Sequence, residues 1–230
     1  MKEALQEQAV IGSSQQHGAR ELRIVVAGAG TGGHLFPGIA VVDRLIHVHA
    51  ETKPLFVITG RPIEHTVLGE RNFETAMISA AGMKGRSGYA KVQSSYLLIK
   101  GLFGARRILK TFRPHLVLGM GGYSSAPVIL AAWMMGIPRV IHEQNRVPGI
   151  TNQFLGRFSD RVYVSFPDTI IPGAEDKMRF VGYPVRPEIM RRKEPARPDG
   201  KTKSEEPAEK PLTIIVMGGS QGAHSINMAV

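Results

Sequence analysis

The feature that most limits how this chain can fold is a theme stated three times: a run of β-branched residues, a cluster of glycines, then the start of a helix. It first appears at Leu22-Arg23-Ile24-Val25-Val26-Ala27, which runs into Gly28-Ala29-Gly30-Thr31-Gly32-Gly33-His34. It recurs at residues 115–122, ending in Gly119-Met120-Gly121-Gly122, and at residues 212–222, ending in Gly218-Gly219-Ser220-Gln221-Gly222. Apolar strands without polar alternation belong to a parallel sheet covered on both faces. Parallel neighbours need helical crossovers, so the theme predicts a doubly wound α/β sheet with its glycine loops gathered at the carboxyl ends of the strands.

The rest of the chain fits that frame. Strands are expected at 22–28, 54–60, 75–79, 115–122, 138–145, 161–166 and 178–182. Between them lie a helix with Pro37 near its first turn and apolar Ile39, Val42, Leu45 and Ile46, a helix from Ser94 to Phe112, and an apolar helix over 126–136 that Gly136 is placed to end. Residues 1–20 read as a polar lead and 21–190 as one Rossmann-like domain. Residues 191–211 hold Pro195, Pro198, Pro207 and Pro211 among many charges and read as an exposed linker or loop. A second Rossmann-like unit is expected to begin at 212–230, so the sequence reads as part of a two-domain protein.

Bulk properties narrow the partners. The 29 Lys and Arg outweigh 19 Asp and Glu, a net charge of +10. That balance asks for an anionic partner: nucleic acid, anionic lipid or a phosphorylated substrate. No nucleic-acid recognition motif accompanies the charge, so nucleic acid is not expected. Cysteine is absent, which removes disulfides and thiolate metal sites and is compatible with a cytoplasmic address. The longest apolar stretch, Val128 to Ile137, covers about ten residues, against the roughly 20 of a spanning helix. Residues 1–20 contain no apolar core of a signal peptide. A membrane would therefore be met at its surface.

The first loop places Gly28, Gly30 and Gly33 in the G-x-G-x-x-G spacing of a dinucleotide site, but the second strand ends Thr59-Gly60-Arg61 without the acid that would hold a ribose. A tight turn without ligand is the alternative for one such loop. No loop ends in Gly-Lys-Ser/Thr, no Asp-x-Asp pair is present, and His142-Glu143-Gln144-Asn145 is followed by Arg146 where a zinc helix would need histidine. No metal site and no cofactor are expected. His34 stands at the mouth of the first helix, where it serves either as a capping or packing residue or as a general base or donor.

Five segments in order carry a resemblance: GAGTGGHLFPGIAV, LGMGGYSSAPVILAAWMMGIP, HEQNRVPGITN, VGYPVRPEI and GGSQGAHSIN. Together they resemble MurG-type glycosyltransferases, enzymes of the two-Rossmann-domain class, over residues 22–190 and 212–230. The resemblance implies transfer of N-acetylglucosamine from UDP-N-acetylglucosamine to undecaprenyl-diphospho-N-acetylmuramoyl-pentapeptide (lipid I), giving lipid II. It implies inversion by direct displacement, no metal at the site and a place on the cytoplasmic face of the bacterial plasma membrane. By motif it assigns Thr31, Gly32, Gly33, Asn145, Arg186 and Ser220 to the donor site and His34 to the role of base. Gly121, Gly122 and Tyr123 would line the cleft for the acceptor diphosphate. Most donor contacts would come from the second domain, so residues 1–230 alone are expected to lack transfer activity. The reading from a different class is a non-catalytic module that binds nucleotide sugar or anionic lipid.

Helical periodicity adds a surface. Over 94–112, Leu98, Leu102, Ala105, Leu109 and Phe112 form the natural core stripe. Tyr96, Ile99 and Phe103 make a second apolar group, with Lys100, Arg106, Arg107 and Lys110 among or beside them. Either another element covers this face or it is a cation-rimmed membrane interface; the lipid-linked acceptor implied by the resemblance favours an anionic membrane.

Overall fold

The structure, a computed structural model, describes residues 21–28, 30–79 and 88–190, with side chains from Leu97 onward in the last segment. The polar lead, the 191–211 linker, the 212–230 unit with Ser220, and the side chain of Tyr96 lie outside the described residues.

Seven strands among the described residues form one sheet: β1 (Leu22–Ala27), β2 (Thr52–Ile58), β3 (Glu74–Met77), β4 (Leu116–Gly119), β5 (Arg139–Glu143), β6 (Arg161–Val164) and β7 (Met178–Phe180). Every pairing is parallel, and the order is β3-β2-β1-β4-β5-β6-β7. The helices are α1 (Gly32–Val48), α2 (Pro62–Gly69), α3 (Gly88–Phe112), α4 (Ser125–Met134), α5 (Ile150–Leu155) and the short α6 (Pro187–Met190). The chain works outward from β1 in one direction, then returns to β4 on its other side. That reversal opens a crevice between the carboxyl ends of β1 and β4, where ligands bind in open α/β sheets.

Strand alternation builds a core on each face. Ile24 and Val26 of β1 join Leu35, Ile39 and Val42 of α1 and Leu68 of α2. Val25 and Ala27 join Ala105 and Leu109 of α3 and Val128, Ile129, Ala131 and Ala132 of α4. The α1 contacts recur at helical spacing, which is why a fully buried strand can accept that helix along its length. α4 stops where expected: Gly136 takes φ 67°, its N–H reaches Trp133 O and the Ile137 N–H reaches Ala132 O. This is the glycine-terminated helix end in which two otherwise orphaned carbonyls are paired.

Several expectations shift. The strand read at 54–60 runs 52–58, and the helix read from Ser94 begins at Gly88. α2 and α5 were not legible from apolar periodicity, being only one or two turns long. α2 nonetheless carries a local signal. Pro62 opens it, and the buried Glu64 carboxylate accepts hydrogen bonds from Thr59 N, Thr59 Oγ1 and Arg61 N, each at 2.9 Å. An acid does follow the second strand, and it is spent on capping.

Candidate active site

Two glycine loops meet at the crevice because nothing larger than glycine fits between them. A Cβ on Gly28 would lie 2.5 Å from Met120 Cβ, and Gly28 already sits at φ 144°. The Met120 N–H donates to Ala27 O at 2.6 Å, continuing the β1–β4 pairing into the loops. The buried Ser125 hydroxyl lies 2.8 Å from Ala27 O and 2.6 Å from Gly121 O, sharing its proton between the strand and the second loop. The first turns of α1 and α4 are thereby held side by side.

Beside them is a cleft of about 610 Å³, whose walls include His34, Gly121, Gly122, Tyr123, Glu143, Asn145 and Asn152. Leu97 and Leu98 of α3 with Ile150 and Phe154 of α5 make its apolar side. The core stripe expected on α3 is corrected here. Ala105 and Leu109 are buried, but Leu98 is exposed and faces the cleft. Leu97 beside it lines the same cleft, while the buried residues of α3 lie further along, at Ala105 and Leu109.

His34 comes within 3.2 Å, at Nε2, of where a Gly121 Cβ would be, and its Nδ1 lies 2.9 Å from Thr31 Oγ1. Burial lowers its pKa below the ordinary 6.5, and the negative charge of Glu143 opposes that shift more weakly. His34 is therefore a neutral imidazole at pH 7, able to accept a proton.

Glu143 was read within the rejected zinc motif and within the HEQN segment, in both with no role of its own. It organises the cleft floor. Its Oε1 accepts from Asn145 N and Nδ2 at 2.9 and 3.1 Å, and its Oε2 accepts from Gly149 N and Asn152 Nδ2 at 3.1 and 2.8 Å. The buried carboxylate ties the loop after β5 to the first residues of α5. A buried acid with several amide donors is invisible to motif reading because its donors are scattered along ten residues.

The cleft thus unites five of the expected site residues: His34, Gly121, Gly122, Tyr123 and Asn145. Thr31 joins through its contact with His34, and Gly32 and Gly33 supply the first turn of α1. Arg186 is held elsewhere on α1, its guanidinium 4.4 Å above the ring of Phe36, a contact the sequence did not announce. Ile99 and Phe103 are 55% and 70% exposed on α3, and Lys100, Arg106, Arg107 and Lys110 are exposed with them. No element among the described residues covers that face. No helix among them is long and apolar enough to cross a membrane, and no three His, Asp or Glu side chains among them gather as metal ligands would.

Comparison with known proteins agrees with this geometry. Residues 24–164 match the glycosyltransferase family 28 N-terminal domain. The chain is 46% identical over 210 residues to the UDP-N-acetylglucosamine--N-acetylmuramyl-(pentapeptide) pyrophosphoryl-undecaprenol N-acetylglucosamine transferase of Citrifermentans bemidjiense, covering 91% of this chain and 56% of the relative. The enzyme of the same name from Geobacter sulfurreducens is 40% identical over 209 residues, with the same coverage. The chain therefore spans about half the length of the curated relatives it matches. Among solved structures, Acinetobacter baumannii MurG superposes with a TM-score of 0.59 at 30% identity, over 72% of this chain and 46% of that one. A UDP-GlcNAc 2-epimerase from Neisseria meningitidis, at 16% identity and a TM-score of 0.53 over 70% of this chain and 47% of its own, shares the fold. The doubly wound sheet, the paired glycine loops and the family match over residues 24–164 lead to one assignment: this chain belongs to glycosyltransferase family 28 and carries its N-terminal domain.

Proposed function

We propose that the intact protein transfers N-acetylglucosamine from UDP-N-acetylglucosamine to undecaprenyl-diphospho-N-acetylmuramoyl-pentapeptide. The observation that carries this reading is the neutral, half-buried His34 at the mouth of α1, facing a cleft shared with the second glycine loop. Its relatives at 40–46% identity bear the name of that reaction. The step is a direct displacement. A sugar hydroxyl of the acceptor gives its proton to His34 Nε2 as its oxygen bonds to C1 of N-acetylglucosamine. The C1–oxygen bond to UDP breaks on the opposite side, the anomeric centre inverts, and UDP leaves with the bonding pair. Glycine-loop amides around Gly121 and Gly122 suit the acceptor diphosphate, since their N–H groups have no side chain to shield them. Of the donor residues that the resemblance implies, Gly32, Gly33, Asn145, Arg186 and Ser220 are proposed to serve the donor, together with a second domain.

The same reading makes the protein peripheral to the cytoplasmic face of the plasma membrane, with Tyr96, Ile99 and Phe103 entering the interface and Lys100, Arg106, Arg107 and Lys110 meeting anionic headgroups. Exposed aromatic and aliphatic side chains rimmed by cations support it. Nucleic acid is not proposed as a partner.

The test is transfer of labelled N-acetylglucosamine to a lipid I analogue by the intact protein, with His34→Ala beside it. The expected loss is in kcat, about 10²–10⁴-fold, the ordinary contribution of a positioned acid–base group. A kcat within about threefold of wild type would return His34 to a packing role. Residues 1–230 alone are expected to give no product.

A further inference from the structure

We propose that Thr31 is a positioning residue whose hydroxyl accepts the Nδ1–H of His34, fixing the tautomer that leaves the Nε2 lone pair open to the cleft. The inference rests on His34 acting as the base.

The observation is a diverted cap. Thr31 is the N-cap of α1, with extended backbone (φ −140°, ψ 154°). A threonine there ordinarily turns its oxygen onto the backbone N–H two or three residues on, satisfying a donor the helix cannot pair. Here the side chain makes no capping bond. The His34 N–H is instead taken by Thr31 O at 3.2 Å, and Leu35 N–H by the same carbonyl at 3.1 Å. With the backbone served, the Thr31 hydroxyl sits 2.9 Å from His34 Nδ1. Nε2 has no hydrogen-bond partner among the described residues and lies against Gly121, at the wall of the cleft.

Two arrangements fit a 2.9 Å contact. If the hydroxyl donates to Nδ1, the imidazole proton is on Nε2, and the nitrogen facing the cleft cannot accept another. If Nδ1–H donates to the hydroxyl oxygen, Nε2 keeps its lone pair, and the imidazolium formed on proton uptake retains its hydrogen bond. Only the second arrangement serves a base, and it gives a reason for a cap residue that does not cap. A partner on the far nitrogen setting which nitrogen reacts is the usual logic of catalytic histidines. It assigns Thr31 a role toward His34 rather than toward the donor.

The experiment uses the intact protein labelled with 15N-histidine. In wild type, His34 is expected to show a protonated Nδ1 and an unprotonated Nε2 in long-range proton–nitrogen spectra. Thr31→Val keeps the shape and removes only the hydroxyl. Because no capping bond is lost and only the part-buried contact with His34 goes, its melting temperature should fall by no more than about 2–4 °C. Its His34 should populate the Nε2–H tautomer, and its kcat should fall roughly 10–100-fold with the KM for UDP-N-acetylglucosamine within about threefold, as for other orienting partners. Thr31→Ser should restore both the spectrum and kcat. An Nε2–H tautomer in wild type overturns the inference. So does a Thr31→Val enzyme that raises the donor KM at unchanged kcat, which would make Thr31 a donor contact, or a Thr31→Ser enzyme no better than Thr31→Val. The spectrum reads the tautomer whether or not sugar is transferred, so absence of transfer by wild type would refute the proposed reaction and leave the tautomer result standing.

Discussion

At the scale of single residues, the site depends on which buried polar atoms find partners. Glu143 offers two oxygens and each accepts two N–H donors. Glu143→Gln changes little in shape, yet its new NH2 group must point at donors whichever way the amide is turned. Stability should fall by about 2–3 kcal/mol, the cost of leaving buried donors unpaired. Hydrogen exchange should locate the damage, with faster exchange at Asn145 and Gly149 and unchanged protection in β1. If Glu143→Gln melts with wild type and exchange is unaltered, Glu143 does not hold the loop. The HEQN segment was legible as a motif. That its acid is the hub of the cleft floor was not, because its partners include a helix start, Gly149 and Asn152, that no periodicity marked.

At the scale of elements, the segment leaving β7 is fastened back onto the domain. His142 Nε2 lies 3.2 Å from Gly182 O, Arg186 stacks on Phe36 of α1, and Glu188 reaches Arg71 at 3.3 Å, which itself pairs with Asp43 of α1 at 2.6 Å. The buried His142 therefore donates through Nε2–H, and its buried Nδ1 has no partner among the described residues. Burial lowers the His142 pKa below 6.5, outweighing the Gly182 carbonyl and the Glu143 charge, which both raise it. His34 shifts in the same direction, also by burial. The sign follows from proton counting. Above pH 6.5 folded and unfolded chains both hold neutral histidine, and this stability is intact. Below it the unfolded chain takes up protons first, and stability is lost until the pH passes the folded pKa. Thermal melts should therefore drop between pH 7.5 and 5.5, and less steeply in His142→Gln. An equal drop in wild type and variant would clear His142 of the effect.

At the scale of the whole molecule, α3 joins two surfaces. Leu97 and Leu98 wall the cleft, while Ile99 and Phe103 project outward among Lys100, Arg106, Arg107 and Lys110. A lipid-linked acceptor whose diphosphate occupies the cleft would have its chain beside this helix. Reversible binding of the protein to anionic liposomes is expected, each cation near the surface adding about 1 kcal/mol before salt screening. Charge reversal at Arg106 and Lys110 should weaken binding and flatten its salt dependence. Phe103→Ser should weaken it at unchanged salt slope, because an apolar contact does not release counterions. Co-sedimentation with anionic and neutral vesicles at two salt concentrations separates these. Wild-type protein that binds neither kind, or variants that bind as wild type does, would leave Ile99 and Phe103 awaiting a protein partner.

The sequence by itself determined the class of fold, the edge of the sheet at which the glycine loops gather, and five of the residues that line the cleft there. These depend on local rules: continuous β-branched runs need burial on both faces, glycines permit close loops, and Gly136 ends its helix by its left-handed conformation. Tertiary structure decided what no local rule contains. Gly28 is required because Met120, distant in sequence, stands where its side chain would be. Leu98 left the expected core for the cleft, where it stands with Ile150 and Phe154. Glu64, in the first turn of α2, and Glu143, at the end of β5, are both buried acids that follow or end a strand, and their neighbours gave them different work: one caps α2, and the other builds the cleft floor. Periodicity states which side of an element is apolar, and only packing states what stands opposite it.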